Sequence, residues 1–151
     1  SSESFTWLRE HFKTALSQCK PEVEDLFLNG VNHVFLHGST YSPESAEWPG
    51  WKFYASVNFN PTNTIWADVP ELFGYISKVQ SFLQAGKPDN EILLYWPIHD
   101  IWGKFLNGRL MQQLAIHDLD TWLKHTPFYD AIQTLLKEGY SFDYSSFRAT
   151  K

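Results

Sequence analysis

Gly30-Val31-Asn32-His33-Val34-Phe35-Leu36-His37-Gly38 is the stretch that decides the fold. From Val31 to His37 it is short, mostly apolar and carries β-branched and aromatic residues, which reads as a strand. Gly30 stands where a helix ends in the left-handed conformation, and Gly38-Ser39 close the run. Helix, glycine, then a mostly apolar strand is the rhythm of an α/β protein.

Upstream, Phe5, Leu8, Phe12 and Leu16 recur at three- and four-residue spacing. That spacing predicts a helix over the first twenty residues, capped by Ser4 or Thr6. Pro21 suits the first turn of a second, short helix with Val23, Leu26 and Phe27 facing inward. Downstream, Pro43, Trp48-Pro49-Gly50-Trp51, Asn58 and Asn60-Pro61 break the pattern from Thr40 to Asn63. Loops of that length inside compact domains are usually functional or disordered, and this one is too aromatic for disorder. A helix from Thr64 to Ala85 follows, its stripe made by Trp66, Val69, Leu72, Phe73, Ile76, Val79 and Leu83. Pro70, Gly86 and Pro88 punctuate it.

Gly86-Lys87-Pro88-Asp89-Asn90 reads as a joint between two part-domains. Beyond it, Glu91 to Pro97 reads as a buried, parallel strand. A less regular stretch runs to Gln113. Asp118 caps a helix through Trp122 and Leu123, and Pro127 opens another that Gly139 closes. Tyr140 to Phe147 alternates aromatic and polar residues as a strand or an extended tail.

Composition limits the function. The formal net charge of -5 and the lack of a Lys/Arg run argue against a nucleic-acid binder, which needs a basic stripe to meet phosphates. No stretch is long and apolar enough to span a bilayer. Cys19, the single cysteine, has no partner for an internal disulfide and is expected to pack as a small apolar residue. Aromatic residues reach 17%, with seven Trp. Flat rings with a polar edge suit ligands that are apolar on one face and hydroxylated elsewhere, and sugar rings are such ligands. A Trp-rich core is the competing reading.

The loop from Tyr41 to Trp66 concentrates this chemistry. Trp48, Trp51, Phe53, Tyr54 and Trp66 lie among Asn58, Asn60, Asn63, Glu44 and Glu47. Aromatic platforms beside amides and acids are what a sugar pocket needs; the alternative is a loop folded on itself as a satellite core. His37, at the end of its strand, is a candidate ligand contact. His33 and His37 make no metal pair on a strand, because four residues at about 3.3 Å each hold them about 13 Å apart. His99-Asp100, just past the second strand, is a weaker candidate for facing a crevice. There is no Gly-x-Gly-x-x-Gly, no Walker motif and no Gly-x-Ser-x-Gly, so nucleotide binding and the usual hydrolase elbow have no support.

Several segments carry a resemblance. Residues 30–38, Tyr41-Ser42-Pro43, Trp48-Pro49-Gly50-Trp51, Phe53-Tyr54-Ala55-Ser56 and Asn60-Pro61-Thr62-Asn63 resemble the end of the catalytic barrel in family 106 glycoside hydrolases. Gln80 to Asn90, then Leu93-Leu94-Tyr95, resemble the same family's passage into its next domain, and Gly139 to Tyr144 also matches. The resemblance runs from Ser1 to about Phe147. It implies an α/β chain in which 1–87 is the C-terminal part of a (β/α)8 barrel and 88–151 begins a flavodoxin-like α/β module that is not expected to bind flavin. It implies α-L-rhamnosidase activity, with inversion, on plant or microbial polysaccharide or on rhamnosides. A calcium ion with ligands not assignable here, and a bacterial periplasmic or secreted setting, come with it.

Inversion takes two carboxyl groups about 6.5–9.5 Å apart. Glu3, at what would be the end of the seventh barrel strand, is the expected base; a carboxylate favourably placed at a helix start is the plain alternative. His37, Tyr41, Trp48, Trp51, Tyr54 and Asn58 are the expected substrate-binding residues. The resemblance implies that the acid and the first six strands lie upstream in a longer parent polypeptide, and the start at Ser1-Ser2-Glu3 without Met fits a native N-terminus that is missing here. The chain alone is therefore expected to be inactive.

Three readings make different structural demands. A glycosidase fragment leaves a bare apolar face on the 64–85 helix or the 31–37 strand. A self-sufficient carbohydrate-binding module closes its fold and exposes the loop. A structural module buries its tryptophans.

Overall fold

The computed structural model describes residues 1–103 and 118–146. The chain divides into two units, Ser1–Lys87 and Pro88–Lys151. The arrangement is mixed α/β, with short strands and both strand pairs parallel.

The first unit contains β1 (Ser2–Ser4), α1 (Leu16–Leu28), β2 (Val34–Leu36) and α2 (Val69–Ala85). β1 and β2 pair with Ser2 opposite Val34, Glu3 opposite Phe35 and Ser4 opposite Leu36. Successive side chains on a strand point to opposite faces, so this register sorts them. Ser4 is buried, and Val34 and Leu36 pack on the core, whereas Glu3 and Phe35 are exposed. The core itself is Phe5, Cys19, Val23, Val57, Phe59, Val69, Leu72 and Ile76. Phe59 meets Phe5 edge-on at 5.3 Å and Phe73 at 5.6 Å. Such pairs add about 0.5–1.5 kcal/mol each beyond the area they bury.

α2 anchors β2 by side chains. Gln80 Oε1 accepts from the Val34 N–H at 2.6 Å, and Gln84 Nε2 donates to the Asn32 carbonyl at 2.6 Å. These bonds occupy backbone groups at and beside an edge strand. Tyr75 on α2 donates its hydroxyl to Glu24 on α1 at 3.0 Å.

The helix expected over the first twenty residues is absent from Phe5 to Ala15. Phe5 and Phe12 adopt φ of 70 and 58, which a right-handed helix excludes. The apolar spacing there is not a helical face: Phe5 is buried and Leu8 is 81% exposed. α1 starts late and runs through Pro21, so the two expected helices merge into one around a different start. Its first turn is tied by the Ala15 N–H, which donates to Gln18 Oε1 at 3.0 Å. The strand expected over 31–37 shortens to Val34–Leu36, and α2 begins at Val69, after turns through 64–68.

The second unit contains β3 (Ile92–Tyr95), α3 (Ile98–Trp102), α4 (Leu119–Trp122), α5 (Pro127–Lys137) and β4 (Phe142–Ser145). β3 and β4 run parallel, Ile92 opposite Phe142 through Tyr95 opposite Ser145. Trp96 organises its core, with ring centroids 4.8 Å from Phe128 and 6.2 Å from Trp122. Thr126 caps α5: its side chain accepts from the Tyr129 N–H at 3.2 Å, and Pro127 fills the first helical position. Asp118 precedes α4 without a side-chain cap bond; Thr121 instead donates its hydroxyl to the Asp118 carboxylate. α3 was not anticipated by the sequence pattern. The remainder of the stretch expected to run to Gln113 lies outside the described residues from position 104, as does Phe147.

Candidate functional site

The carboxyl ends of β1 and β2 lie side by side. The His37 N–H donates to the Ser4 carbonyl at 2.8 Å, extending the ladder one residue past β2. Glu3 is exposed there, and its carboxylate accepts from Thr6 Oγ1 at 2.8 Å. That bond orients the carboxylate from its own chain, three residues on. Among the described residues, the buried His37 Nδ1 and Thr40 Oγ1 have no hydrogen-bond partner. A buried polar atom without a partner carries a desolvation cost that a ligand hydroxyl would relieve. The imidazole meets Phe53 edge-on at 4.7 Å, and Phe53 in turn lies 4.9 Å from Tyr54.

Behind His37 the backbone is clamped. Ser56 Oγ accepts from the Gly38 and Asn58 N–H groups and donates to the Gly38 carbonyl, each at 2.8 Å. Ser39 donates its hydroxyl to the Phe59 carbonyl. His33, on the exposed face of β2, stacks on Phe35 at 4.5 Å and does not join His37.

The long loop after β2 splits in two. From Tyr41 to Tyr54 its rings face solvent: Tyr41 is 88%, Trp48 73%, Trp51 58% and Tyr54 71% exposed. They are nonetheless held. Trp48 Nε1 donates to the Thr62 carbonyl at 3.2 Å, and Thr62 Oγ1 donates to the Pro49 carbonyl at 2.7 Å. Ser42 Oγ accepts from the Trp51 N–H at 2.9 Å. Gly50, at φ +83, permits that approach, because a Cβ there would stand 2.5 Å from Ser42 Oγ.

From Ala55 to Asn60, and again at Asn63, the loop is buried. Asn58 is 0% exposed, at φ 59. Its Nδ2 donates to the Ser56 carbonyl at 3.1 Å and lies 3.1 Å from His11 Nδ1; its Oδ1 accepts from the Phe53 N–H at 3.4 Å. Asn58 was expected among the substrate contacts. The fold spends its amide inside the loop, so its place is that of a buried brace beneath the exposed rings. Asn63 braces likewise, donating to the Val57 and Asn58 carbonyls at 3.0 Å each.

The sequence pattern missed His11, Phe12 and Ser56. The apolar spacing around Phe12 pointed to a helix, and nothing in the sequence marks Ser56 as the clamp. His99 and Asp100 lie on α3, with His99 edge-on to Trp102 at 5.8 Å.

Glu3 lies on one of two parallel strands, and His37 and a set of exposed rings lie on the segment that follows the other. A sequence model of glycoside hydrolase family 106, described as alpha-L-rhamnosidase, matches residues 1–121. The chain belongs to that family. No curated protein and no solved structure matches it. Membership implies a carbohydrate substrate, the ligand class that the exposed rings suit.

Calcium takes six to eight oxygen ligands, usually with carboxylates among them. Among the described residues no group of three or more His, Cys, Asp and Glu side chains converges to hold a metal. These residues do not by themselves assemble a calcium site. No helix among them is long and apolar enough to cross a membrane.

Proposed function

We propose that this chain is part of an inverting α-L-rhamnosidase in which Glu3 is the general base. One observation supports the reading: Glu3 lies on β1, and His37 follows β2, the parallel strand beside it, with its N–H on the Ser4 carbonyl. In (β/α)8 barrels the carboxyl ends of the strands hold the catalytic side chains. The face of β1–β2 that bears Glu3 and Phe35 is uncovered among the described residues, and Phe82 and Leu83 on α2 are exposed too. Parallel strands normally have both faces covered. The bare surfaces support residues 1–87 as the closing part of a barrel whose remaining strands cover them, and residues 88–151 as the start of a flavodoxin-like module.

The chemistry follows from the groups present. Inversion needs a carboxylate that takes a proton from water on the face opposite the leaving group. Glu3 is that carboxylate, and the Thr6 hydroxyl fixes which oxygen is left to meet water. The carboxylic acid that protonates the leaving oxygen comes from another part of the enzyme. His37 presents Nδ1 to a sugar hydroxyl. Tyr41, Trp48, Trp51 and Tyr54 pack sugar C–H faces, and Asn58 holds their loop in place. A calcium ion belongs to this proposal for the whole enzyme only.

Exposure of Trp51 and of Trp48, whose indole is held by the Thr62 carbonyl, favours a second reading, a non-catalytic carbohydrate-binding module. One experiment separates the two. The whole enzyme and its Glu3→Gln variant are run against a panel of aryl glycosides. Selective cleavage of the α-L-rhamnoside, lowered about 10²–10⁴-fold in the variant, is the expected result. Sugar binding without cleavage of any glycoside would move the assignment to a binding module.

A further inference from the structure

Two ring clusters stand among the described residues of the loops after β1 and β2. His37, Phe53 and Tyr54 form the cluster at the end of β2. His11, Phe12 and Trp48 form the other: Phe12 lies 6.3 Å from His11 and 6.4 Å from Trp48, tilted by 47° and 36°. The second cluster joins two loops, because His11 and Phe12 follow β1 while Trp48 follows β2.

Buried Asn58 links the clusters and fixes the chemistry of His11. Its Oδ1 accepts from the Phe53 N–H and its Nδ2 donates to the Ser56 carbonyl, so the amide's orientation is set by two backbone groups. The remaining Nδ2 hydrogen faces His11 Nδ1 at 3.1 Å. Nδ1 must then accept, which leaves the proton on Nε2. The His11 Nε2–H is thereby left as a donor. Across Phe12 from it, Trp48 is held by the bond to Thr62 while remaining 73% exposed. A donor and an open aromatic face together match a pyranose ring, whose C–H face stacks while a hydroxyl accepts.

We propose that His11, Phe12 and Trp48 form a second sugar-binding position, which takes a further pyranose residue of an oligosaccharide while the rhamnose to be cleaved occupies the position at Glu3 and His37. Trp48 carries the stacking, Phe12 backs it, and the His11 Nε2–H binds a hydroxyl. The inference rests on the glycosidase reading and narrows it to extended substrates rather than small rhamnosides.

The test uses the whole enzyme and the variants Phe12→Ala and His11→Phe, with Leu8→Ala as an exposed control on the same loop. Each is assayed on an aryl α-L-rhamnoside and on a rhamnose-terminated oligosaccharide, and oligosaccharide binding is titrated calorimetrically. Expected is a loss of about tenfold or more in kcat/KM and affinity for the oligosaccharide, through KM, with the aryl rhamnoside unchanged. Equal loss on both substrates, or no loss on either, overturns the second position. If the parent cleaves no rhamnoside yet binds the oligosaccharide and the variants weaken that binding, the glycosidase reading fails and the sugar position stands. Absence of both cleavage and binding overturns both.

Discussion

The two halves of the loop after β2 differ in sequence character and are opposite in fate. Tyr41 to Tyr54 is rich in rings, and those rings stay in solvent. Ala55 to Asn63 is rich in amides, and the amides go inside. Hydrophobicity alone would sort them the other way. The difference is where the backbone can be satisfied. A buried loop must supply partners for its own N–H and C=O groups, and Ser56, Asn58, Asn60 and Asn63 do so within a few residues. The exposed half needs no such partners, so its large side chains are available to a ligand.

The largest test of that contrast removes the apolar floor under the buried half. Phe59 is 4% exposed and touches both Phe5 and Phe73. Phe59→Ala is expected to cost about 3–5 kcal/mol in denaturant unfolding, the usual range for an emptied phenylalanine site. A loss below about 1 kcal/mol would mean that the buried half is not core.

Next comes the brace. Asn58→Ala leaves the Phe53 N–H, the Ser56 carbonyl and His11 Nδ1 each short of a partner, and should cost on the order of 3 kcal/mol. It should also free the tether between Phe53 and His11, raising the mobility of the exposed rings. Fluorescence anisotropy of the tryptophans, unchanged in a folded variant, would break the claim that the buried half positions the exposed half.

Cys19 reports on the same core through pH. It is fully buried, and burial pushes its thiol from 9.0 up to about 11. The neutral thiol is favoured in the folded chain, so the unfolded chain loses its proton first as pH rises. The stabilisation is whole below about pH 9 and is lost between pH 9 and about 11, at most about 2–3 kcal/mol. Unfolding midpoints of the parent and of Cys19→Ala, compared across that window, should converge as the parent loses this contribution. Parallel curves would place the thiol in water.

Much of this was legible in sequence where a local rule acts alone. β2, α2, α5 and β3 follow from apolar runs bounded by Gly and Pro, and the parallel pairing of β3 from its unbroken apolar character, but the burial expected of β3 is not met: Leu93 is 62% and Tyr95 42% exposed. The failures before α1 have a common cause. Phe5, Leu8, Phe12 and Leu16 have helical spacing, yet Phe5 and Phe12 take φ of 70 and 58 because tertiary contacts claim their rings separately. Spacing cannot show that Phe5 belongs under Phe59 and Phe12 beside Trp48. The candidate site was read in the same proportion. Tyr41, Trp48, Trp51 and Tyr54 are exposed and His37 is half-buried, whereas Asn58 lies beneath them and His11 went unseen. An amide in a loop looks the same in sequence whether it faces a ligand or the loop's own carbonyls.

The smallest expected effect is the most discriminating. Trp51 is more than half exposed, and its bond to Ser42 is made by its backbone N–H rather than by its ring. Trp51→Ala removes the indole and leaves that bond intact. Surface substitutions of this kind usually change stability by no more than about 0.5 kcal/mol. If the exposed half of the loop exists for a ligand, Trp51→Ala should leave the unfolding midpoint in place while weakening sugar binding. A stability loss approaching that of Phe59→Ala would instead put the ring in a contact that holds the fold, and the two halves of the loop would no longer differ in kind.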